Sequence, residues 1–223
     1  MRQSLFLSAL ALCVCSLPAM ADTLFTDLGT ANPIYSNSGG WFVSGSGGIL
    51  STGYTAANLF TVSGSGSLAV TQVDLAVGNV NGYLNTFYAS IWTDSAGLPG
   101  AQVAGAYWNP LSTSTAYGAC CGLVSITGIT GVNLTGGQQY FMILGPLSNS
   151  DSSSNVWISN NQSVTGVVLD SNDAGSTWFS QGAGSVLGGF DVLGAAATPE
   201  PGTMFMLGGG LLALGFLRKR LHR

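Results

Sequence analysis

The chain has 223 residues, of which 46% are hydrophobic and only 6% charged, and its formal net charge is −4 at pH 7. All Lys and Arg residues lie at positions 2, 218, 219, 220 and 223, and the single His is His222, so residues 22–198 contain no cationic side chain. A Ser/His/Asp triad, a Cys/His pair, a Lys nucleophile and a zinc site with imidazole ligands are therefore excluded from those residues. They hold eight Asp, and we expect no nucleic-acid binding, which depends on cationic side chains.

The N-terminus has the pattern of a secretory signal peptide. Arg2 precedes an apolar segment over residues 5–14, and Ala19 and Ala21 form a small-x-small cleavage site. Such a segment is removed during export. The pattern predicts a signal peptide at residues 1–21, and we expect the mature chain to begin directly after it.

The segment that follows is predicted to be all-β. Val73, Leu75 and Val77 alternate with Asp74 and Ala76, which is the period of a half-buried strand. Gly, Ser and Asn interrupt the apolar runs, and no helical stripe is present. Further strand candidates are residues 58–62, 87–92, 103–108, 123–127, 139–144, 156–159, 166–170 and 185–193.

The number and spacing of these strands predict one antiparallel β-sandwich of the jelly-roll or immunoglobulin-like kind over residues 22–197. The apolar content and the spread of aromatic residues indicate a folded domain rather than a disordered one. Residues 29–56, rich in Gly and Ser, are interpreted as a long loop or an irregular edge, and Pro99-Gly100 as a turn after a strand.

Cys120 and Cys121 are the only cysteines left once the signal peptide, with Cys13 and Cys15, is removed. In an oxidising exported setting two thiols seldom stay free. Adjacent cysteines can close a vicinal disulfide, which we expect to stiffen this loop, or they can pair between chains. A soft-metal site would need further thiol, Met or His ligands, which the neighbouring sequence does not supply.

A second polar loop holds Asp170, Asn172 and Asp173. Oxygen-bearing side chains followed by Gly175 could wrap a calcium ion. Ala174 interrupts the ligand pattern, and the same residues also suit a turn between strands that is stabilised by Asp and Asn side chains. We expect the turn, with calcium as the alternative. No other cofactor and no catalytic residue are predicted.

Aromatic residues could stack on sugar rings wherever they face outward beside Asn or Asp, although most such residues belong to cores. Trp108 and Trp178, which lie near Asn109 and Asn172, are the strongest candidates. The wider set is Trp41, Tyr54, Trp92, Tyr107, Trp108, Trp157 and Trp178.

Residues 198–223 have the pattern of a sorting signal. Pro199, Glu200 and Pro201 precede an apolar run over residues 203–217, which predicts a transmembrane helix of about 22 Å at about 1.5 Å per residue. This length is below the roughly 30 Å of a bilayer core and suits a temporary anchor. A basic stop closes the run and places the far end in the cytoplasm, with the body outside. The stop consists of Arg218, Lys219 and Arg220.

The Pro-Glu-Pro tripeptide, the apolar helix and the basic end together resemble the PEP-CTERM sorting signal of exported bacterial proteins. The resemblance implies processing near the tripeptide by a membrane-embedded exosortase, after transient anchoring in the membrane through the helix. It also implies delivery to the cell surface or the extracellular polysaccharide matrix. Similar tails are labelled as the C-terminal domain of some ice-binding proteins, a label that describes sorting.

The body shows a second resemblance, carried by the segments at residues 91–100 and 132–144 together with Gly39-Gly40-Trp41 and residues 189–192. These segments resemble the bacterial choice-of-anchor surface domains. That family implies an exported β-sandwich with no catalytic site to carry over.

The leading interpretation is a non-catalytic surface or extracellular-matrix protein, sorted by its tail and associated with exopolysaccharide or biofilm. The alternative is a carbohydrate- or calcium-dependent binding module. A secreted hydrolase with a site made only of Asp residues is the third reading, and it finds no group in the sequence that would raise the proton affinity of one carboxylate.

Overall fold

The computed structural model describes residues 22–196, which form sixteen β-strands and no helix. The predicted signal peptide at residues 1–21 and the predicted sorting signal at residues 198–223, including its helix at residues 203–217, lie outside the described residues.

The strands fall in the following order. They are β1 (Asp22–Thr26), β2 (Gly40–Ser44), β3 (Thr55–Thr61), β4 (Ser67–Leu75), β5 (Val77–Asn79), β6 (Thr86–Ser95), β7 (Leu98–Ser112), β8 (Val124–Thr127), β9 (Asn133–Thr135), β10 (Gln139–Gly145), β11 (Ser154–Ile158), β12 (Thr165–Gly166), β13 (Val168–Ser171), β14 (Phe179–Ser180), β15 (Ser185–Val186) and β16 (Phe190–Ala196).

Two large antiparallel sheets carry most of these strands. The five-stranded sheet has the order β1-β16-β4-β8, and β9 also pairs with β4. The six-stranded sheet has the order β14-β13-β3-β10-β6-β7. Two smaller sheets, β2-β11-β5 and β12-β15, complete the architecture. The prediction of an all-β antiparallel fold is confirmed.

The main core lies between the two large sheets, and every second side chain along their strands points into it. Phe87, Ala89 and Ile91 of β6 point into it, as do Met142 and Leu144 of β10. The five-stranded sheet contributes a matching inner face from β1, β4 and β16. Because side chains alternate between the two faces of a strand, the same strands present a second set of residues on their outer faces.

Aromatic rings pack against one another in the main core, where the Phe60 and Phe190 rings join the two large sheets. The Phe190 ring of β16 lies 5.5 Å from the Phe60 ring of β3 and 5.4 Å from the Trp157 indole of β11, measured between ring centroids. Phe25 of β1 packs on the Phe190 ring at 4.6 Å. Such pairs contribute about 0.5–1.5 kcal/mol beyond the area that they bury.

Trp157 is fully buried, and its position explains why residue 188 is glycine. The indole Nε1 donates a hydrogen bond to the Gly189 carbonyl oxygen at 3.0 Å. A Cβ atom at Gly188 would lie 2.6 Å from three atoms of the indole ring, so only glycine permits this approach.

Residues 29–56, interpreted as a long loop or an irregular edge, are mostly irregular, and their strand β2 lies at the edge of the sheet β2-β11-β5. One expectation about the chain path is wrong. The turn expected at Pro99-Gly100 lies instead at Ala96-Gly97, where φ is 55° and 85°. Two consecutive residues with positive φ form the two-residue hairpin that suits the twist of strands, and β7 therefore begins already at Leu98.

Removal of the Phe190 side chain should test the core directly. Phe190→Ala leaves a cavity among three aromatic rings, and we expect a loss of about 3–5 kcal/mol in the free energy of unfolding, measured with urea. Phe179→Ala, at a side chain that is 54% exposed, is the control and should cost less than about 0.5 kcal/mol. Equal losses in the two variants would contradict this description of the core.

Candidate functional site

The outer face of the six-stranded sheet concentrates aromatic side chains. Residues directly opposite each other on antiparallel strands share a face. Ile143 of β10 pairs with Ala57 on one side and with Ser90 on the other, and Ser90 pairs with Tyr107 of β7. These four residues therefore form one row across the outer face.

A second row runs beside the first. Phe141 of β10 pairs with Leu59 and with Trp92, and Trp92 pairs with Gln102 of β7. The Trp92 Nε1 atom donates a hydrogen bond to the Ser90 hydroxyl at 3.0 Å, which fixes the indole across the two rows.

Aromatic side chains cover the centre of these two rows and Leu169 of β13, which pairs with Ala57. Ala57, Phe141, Ile143 and Leu169 are buried beneath half-buried side chains that include Tyr88, Trp92 and Trp178. Tyr88 and Tyr107 pack with ring centroids 5.2 Å apart, and Tyr107 is 42% exposed. We call Tyr88, Trp92, Tyr107 and Trp178 the outer aromatic face.

Tyr88 lies flat because its neighbour on β10 has no side chain. A Cβ atom at Gly145, directly opposite Tyr88, would lie 2.6 Å from the Tyr88 hydroxyl oxygen. Burial raises the pKa of Tyr88, and a hydrogen bond with the Thr55 side chain acts against that rise. The ring therefore stays neutral and bridges β6 to β3 over the sheet.

A polar depression adjoins the outer aromatic face. It is about 410 Å³ in volume and is lined by Thr61, Asp94, Gly137, Gln138 and Gln139. Asp94 follows Trp92 by two residues on β6 and so lies on the same face. Asp94 Oδ1 accepts a hydrogen bond from the Gly97 amide at 2.9 Å, which holds the carboxylate in place. Amide, hydroxyl and carboxylate groups thus stand beside an indole.

The aromatic residues that the sequence singled out lie in two places, some on the outer aromatic face and others in or against the core. Trp92, Tyr107 and Trp178 lie on the outer aromatic face, whereas Trp157 is buried and Trp108 packs against the main core. Trp41 also packs there, and its Nε1 atom donates to the Val186 carbonyl oxygen. Tyr54 forms an isolated bridge with Ser44 of β2.

Sequence reasoning did not single out Tyr88 as a candidate for sugar stacking. The alternation along β6 already carried the signal, because it assigns Tyr88, Ser90 and Trp92 to the face opposite the core.

The two adjacent cysteines lie against the loop that follows β1. The structure brings the Cys120 and Cys121 sulfur atoms together as a vicinal pair. The Ile34 amide donates to Cys121 Sγ at 3.4 Å, and the Tyr35 hydroxyl donates to the Gly122 carbonyl oxygen at 3.0 Å. These contacts attach the cysteine loop to residues 34–35, and the disulfide itself stays a prediction.

The loop proposed as a calcium alternative is organised by its own hydrogen bonds. Asp173 accepts from the Ser171 hydroxyl at 2.8 Å and from the Thr177 amide and hydroxyl at 2.8 and 2.6 Å. The Thr177 hydrogen bonds lower the pKa of Asp173 to about 2. Asp170 pairs with Ala56, which faces the core, so Asp170 lies on the other side of β13 from Ser171. Burial raises the pKa of Asp170 to about 6.

Three further carboxylates lie close together at the five-stranded sheet. Asp191 of β16 pairs directly with Asp74 of β4, and Asp27 follows β1 beside them. Burial raises the pKa of Asp191, and the charge of Asp74 adds to the rise. Within residues 22–196 no group of three acidic, His or Cys residues is arranged to hold a metal ion.

Asp27 is the most deeply buried of these carboxylates. It is 2% exposed, and its Oδ1 atom accepts a hydrogen bond from the Phe190 amide at 2.7 Å. Burial raises the pKa of Asp27 to about 8, although the Phe190 hydrogen bond favours the ionised form. The side chain is therefore largely protonated at neutral pH.

Comparison with known proteins assigns the tail. Residues 197–220 match the model of the PEP-CTERM protein-sorting motif, as the sequence predicts. No curated protein matches the chain. The chain therefore carries the sorting signal of an exported protein that an exosortase processes, with transient membrane anchoring before display at the cell surface. Among residues 22–196, no helix is long and apolar enough to cross a membrane.

The protonated state of Asp27 predicts a pH dependence of stability. Its pKa is higher in the folded chain than in the unfolded chain, so the folded state holds the proton more tightly. The stabilisation is complete below about pH 4 and is lost as the pH rises to about 8. Between pH 5 and pH 8 we expect Asp27 to account for a loss of about 2–4 kcal/mol in the free energy of unfolding.

Urea unfolding at pH 5 and pH 8 measures this contribution. Asp27→Asn keeps an acceptor for the Phe190 amide and removes the titration, so the variant should lose less stability over this range. Asp22→Asn, at an exposed position, is the control and should behave like the unmodified chain. An unchanged pH dependence in Asp27→Asn would refute the assignment.

Proposed function

We propose that this is a non-catalytic protein of the cell surface or extracellular matrix that associates with neutral polysaccharide, and that its PEP-CTERM tail delivers it there. The outer aromatic face is the observation that carries the proposal. Four aromatic side chains lie on one sheet face, and a polar depression adjoins them. Binding sites for small ligands commonly combine apolar surface with a few placed polar groups in this way.

The chemistry of a sugar ring matches both parts of this surface. One side of a pyranose ring presents C–H groups, which pack on an aromatic ring, and its rim presents hydroxyl groups. Tyr107, at the exposed end of the outer aromatic face, and Trp92 offer the aromatic surfaces. Gln139 and Asp94 in the depression offer hydrogen-bonding partners for the hydroxyl groups.

The charge of the body favours a neutral polymer over an anionic one. Residues 22–198 carry eight Asp and no Lys, Arg or His. A polysaccharide bearing carboxylate or sulfate groups would meet repulsion over the whole surface and no cationic side chain to bind it. Neutral hexose polymers avoid this cost.

The arrangement of carboxylates supports binding without cleavage. Glycoside hydrolysis generally needs two carboxyl groups that flank the bond in an open site. The depression contains one carboxylate, Asp94, which also anchors the hairpin turn. Asp170, whose pKa is raised to about 6 by burial, lies on the other side of β13 from the outer aromatic face.

Binding of the full chain to an array of neutral and anionic polysaccharides tests this proposal. We expect binding to neutral polymers only. Tyr107→Ala and Trp92→Ala should each weaken it by about tenfold, because aromatic residues dominate such contacts. Thermal unfolding of each variant confirms that it is folded.

Phe179→Ala provides a matched control, because Phe179 is an exposed aromatic residue on the other side of β14. Its binding should equal that of the unmodified chain. Measurements with and without a chelator separate direct binding from calcium-dependent binding, the alternative. Absence of binding in both conditions, or an equal loss in Phe179→Ala, would overturn the proposal.

A further inference from the structure

The outer face of the five-stranded sheet contains a pair of facing carboxylates. Asp74 of β4 and Asp191 of β16 are directly opposite each other in the antiparallel register. Their neighbours Val73, Leu75 and Phe190 point into the main core, so the two Asp side chains point to the outer face. The Cβ atoms of directly opposite residues lie about 4.5–5.5 Å apart, and like charges at this distance repel each other.

Each of these carboxylates has one buried oxygen atom that no group in residues 22–196 satisfies. Asp74 is 7% exposed, and its Oδ2 atom accepts a hydrogen bond from Gln72 Nε2 at 2.7 Å. Asp74 Oδ1 and Asp191 Oδ1 have no hydrogen-bond partner within the described residues, and Asp27 Oδ2 shares this property. A buried acceptor without a partner is costly, and more so when it carries charge.

No side chain of the body can neutralise this pair. Residues 22–198 contain no Lys, Arg or His, so an ion pair cannot form there. The charge must be balanced by a proton or by a cation from the solvent.

We propose that Asp74 and Asp191 together bind one divalent cation, with their Oδ1 atoms as its protein ligands. Two carboxylate oxygens are hard ligands that suit calcium, which accepts an irregular shell completed by water. Hydroxyl groups flank the pair in the same row, because Asp191 also pairs with Thr26 and Asp74 also pairs with Ser125. A cation bound here would bridge β16 and β4, because the attraction of both carboxylates to the cation would outweigh the repulsion between them.

This site is separate from the loop that the sequence suggested for calcium. Asp173 of that loop already accepts three hydrogen bonds from Ser171 and Thr177. Its carboxylate is satisfied, whereas Asp74 and Asp191 each retain a free oxygen. The proposal is also independent of polysaccharide binding, since it concerns the other large sheet.

Calorimetric titration and thermal unfolding of the full chain in mild detergent test the cation site. With calcium chloride at pH 7.5 we expect one ion bound per chain. We expect the unfolding midpoint to rise by about 5 °C at saturating calcium, relative to potassium chloride of equal ionic strength. Magnesium chloride serves as a second probe and should give a smaller rise.

Three variants assign the binding to residues. Asp74→Asn and Asp191→Asn should each abolish the calcium-dependent rise, and each should unfold at a higher temperature than the unmodified chain in the absence of calcium, because the repulsion is relieved. Asp173→Asn is the control and should retain the calcium response.

The proposal fails if calcium leaves the midpoint of the unmodified chain unchanged, which would indicate that the pair is balanced by a proton only. It also fails if Asp74→Asn and Asp191→Asn retain the response, or if Asp173→Asn alone abolishes it.

Discussion

The absence of any cationic side chain between residues 22 and 198 constrains every carboxylate of the body. Some Asp residues are satisfied by turn groups: Asp151 accepts from the Ser153 amide and hydroxyl, and Asp94 from the Gly97 amide. Others are buried, and their pKa values rise because no cation compensates for lost hydration, as at Asp27. The same constraint restricts the ligands. A surface without Lys or Arg suits neutral sugars, and the facing pair of Asp74 and Asp191 suits a cation from the solvent.

Local patterns predicted much of the fold and less of the site. Alternation along β4 and β6 assigned their inner and outer residues, and every predicted strand overlaps an observed one. The predicted position of the β6-β7 turn was wrong. The residue types of Pro99-Gly100 favour a turn more strongly than those of Ala96-Gly97, but Ser95 pairs with Leu98, so the turn lies at residues 96–97. Trp108 was favoured from its neighbour Asn109, yet its pairing with Ala89 directs it to the core. Asp74 and Asp191 lie opposite each other because of the register between β4 and β16. These strands are far apart in sequence, so no local sequence pattern predicts their register.

The termini of the described body relate the sandwich to its sorting signal. Ala196, the last residue of β16, pairs with Leu68 at the start of β4. The same end carries the depression beside the outer aromatic face, because the Val62 amide donates to the Gln138 carbonyl oxygen and the Gly136 amide to that of Gly66. The sorting motif matches from residue 197, so the tail begins directly at this end.

The predicted signal peptide and the sorting tail hold all the basic residues of the chain, so removal of both would leave the cation-free protein on which this account depends. The most direct test is the intact mass of the protein recovered from the cell surface. We predict a species that begins near Asp22 and ends near Pro199, and that therefore lacks every Lys, Arg and His. A species that retains Arg218 to Arg223 would contradict the account, because the protein would then remain anchored with its basic end in place.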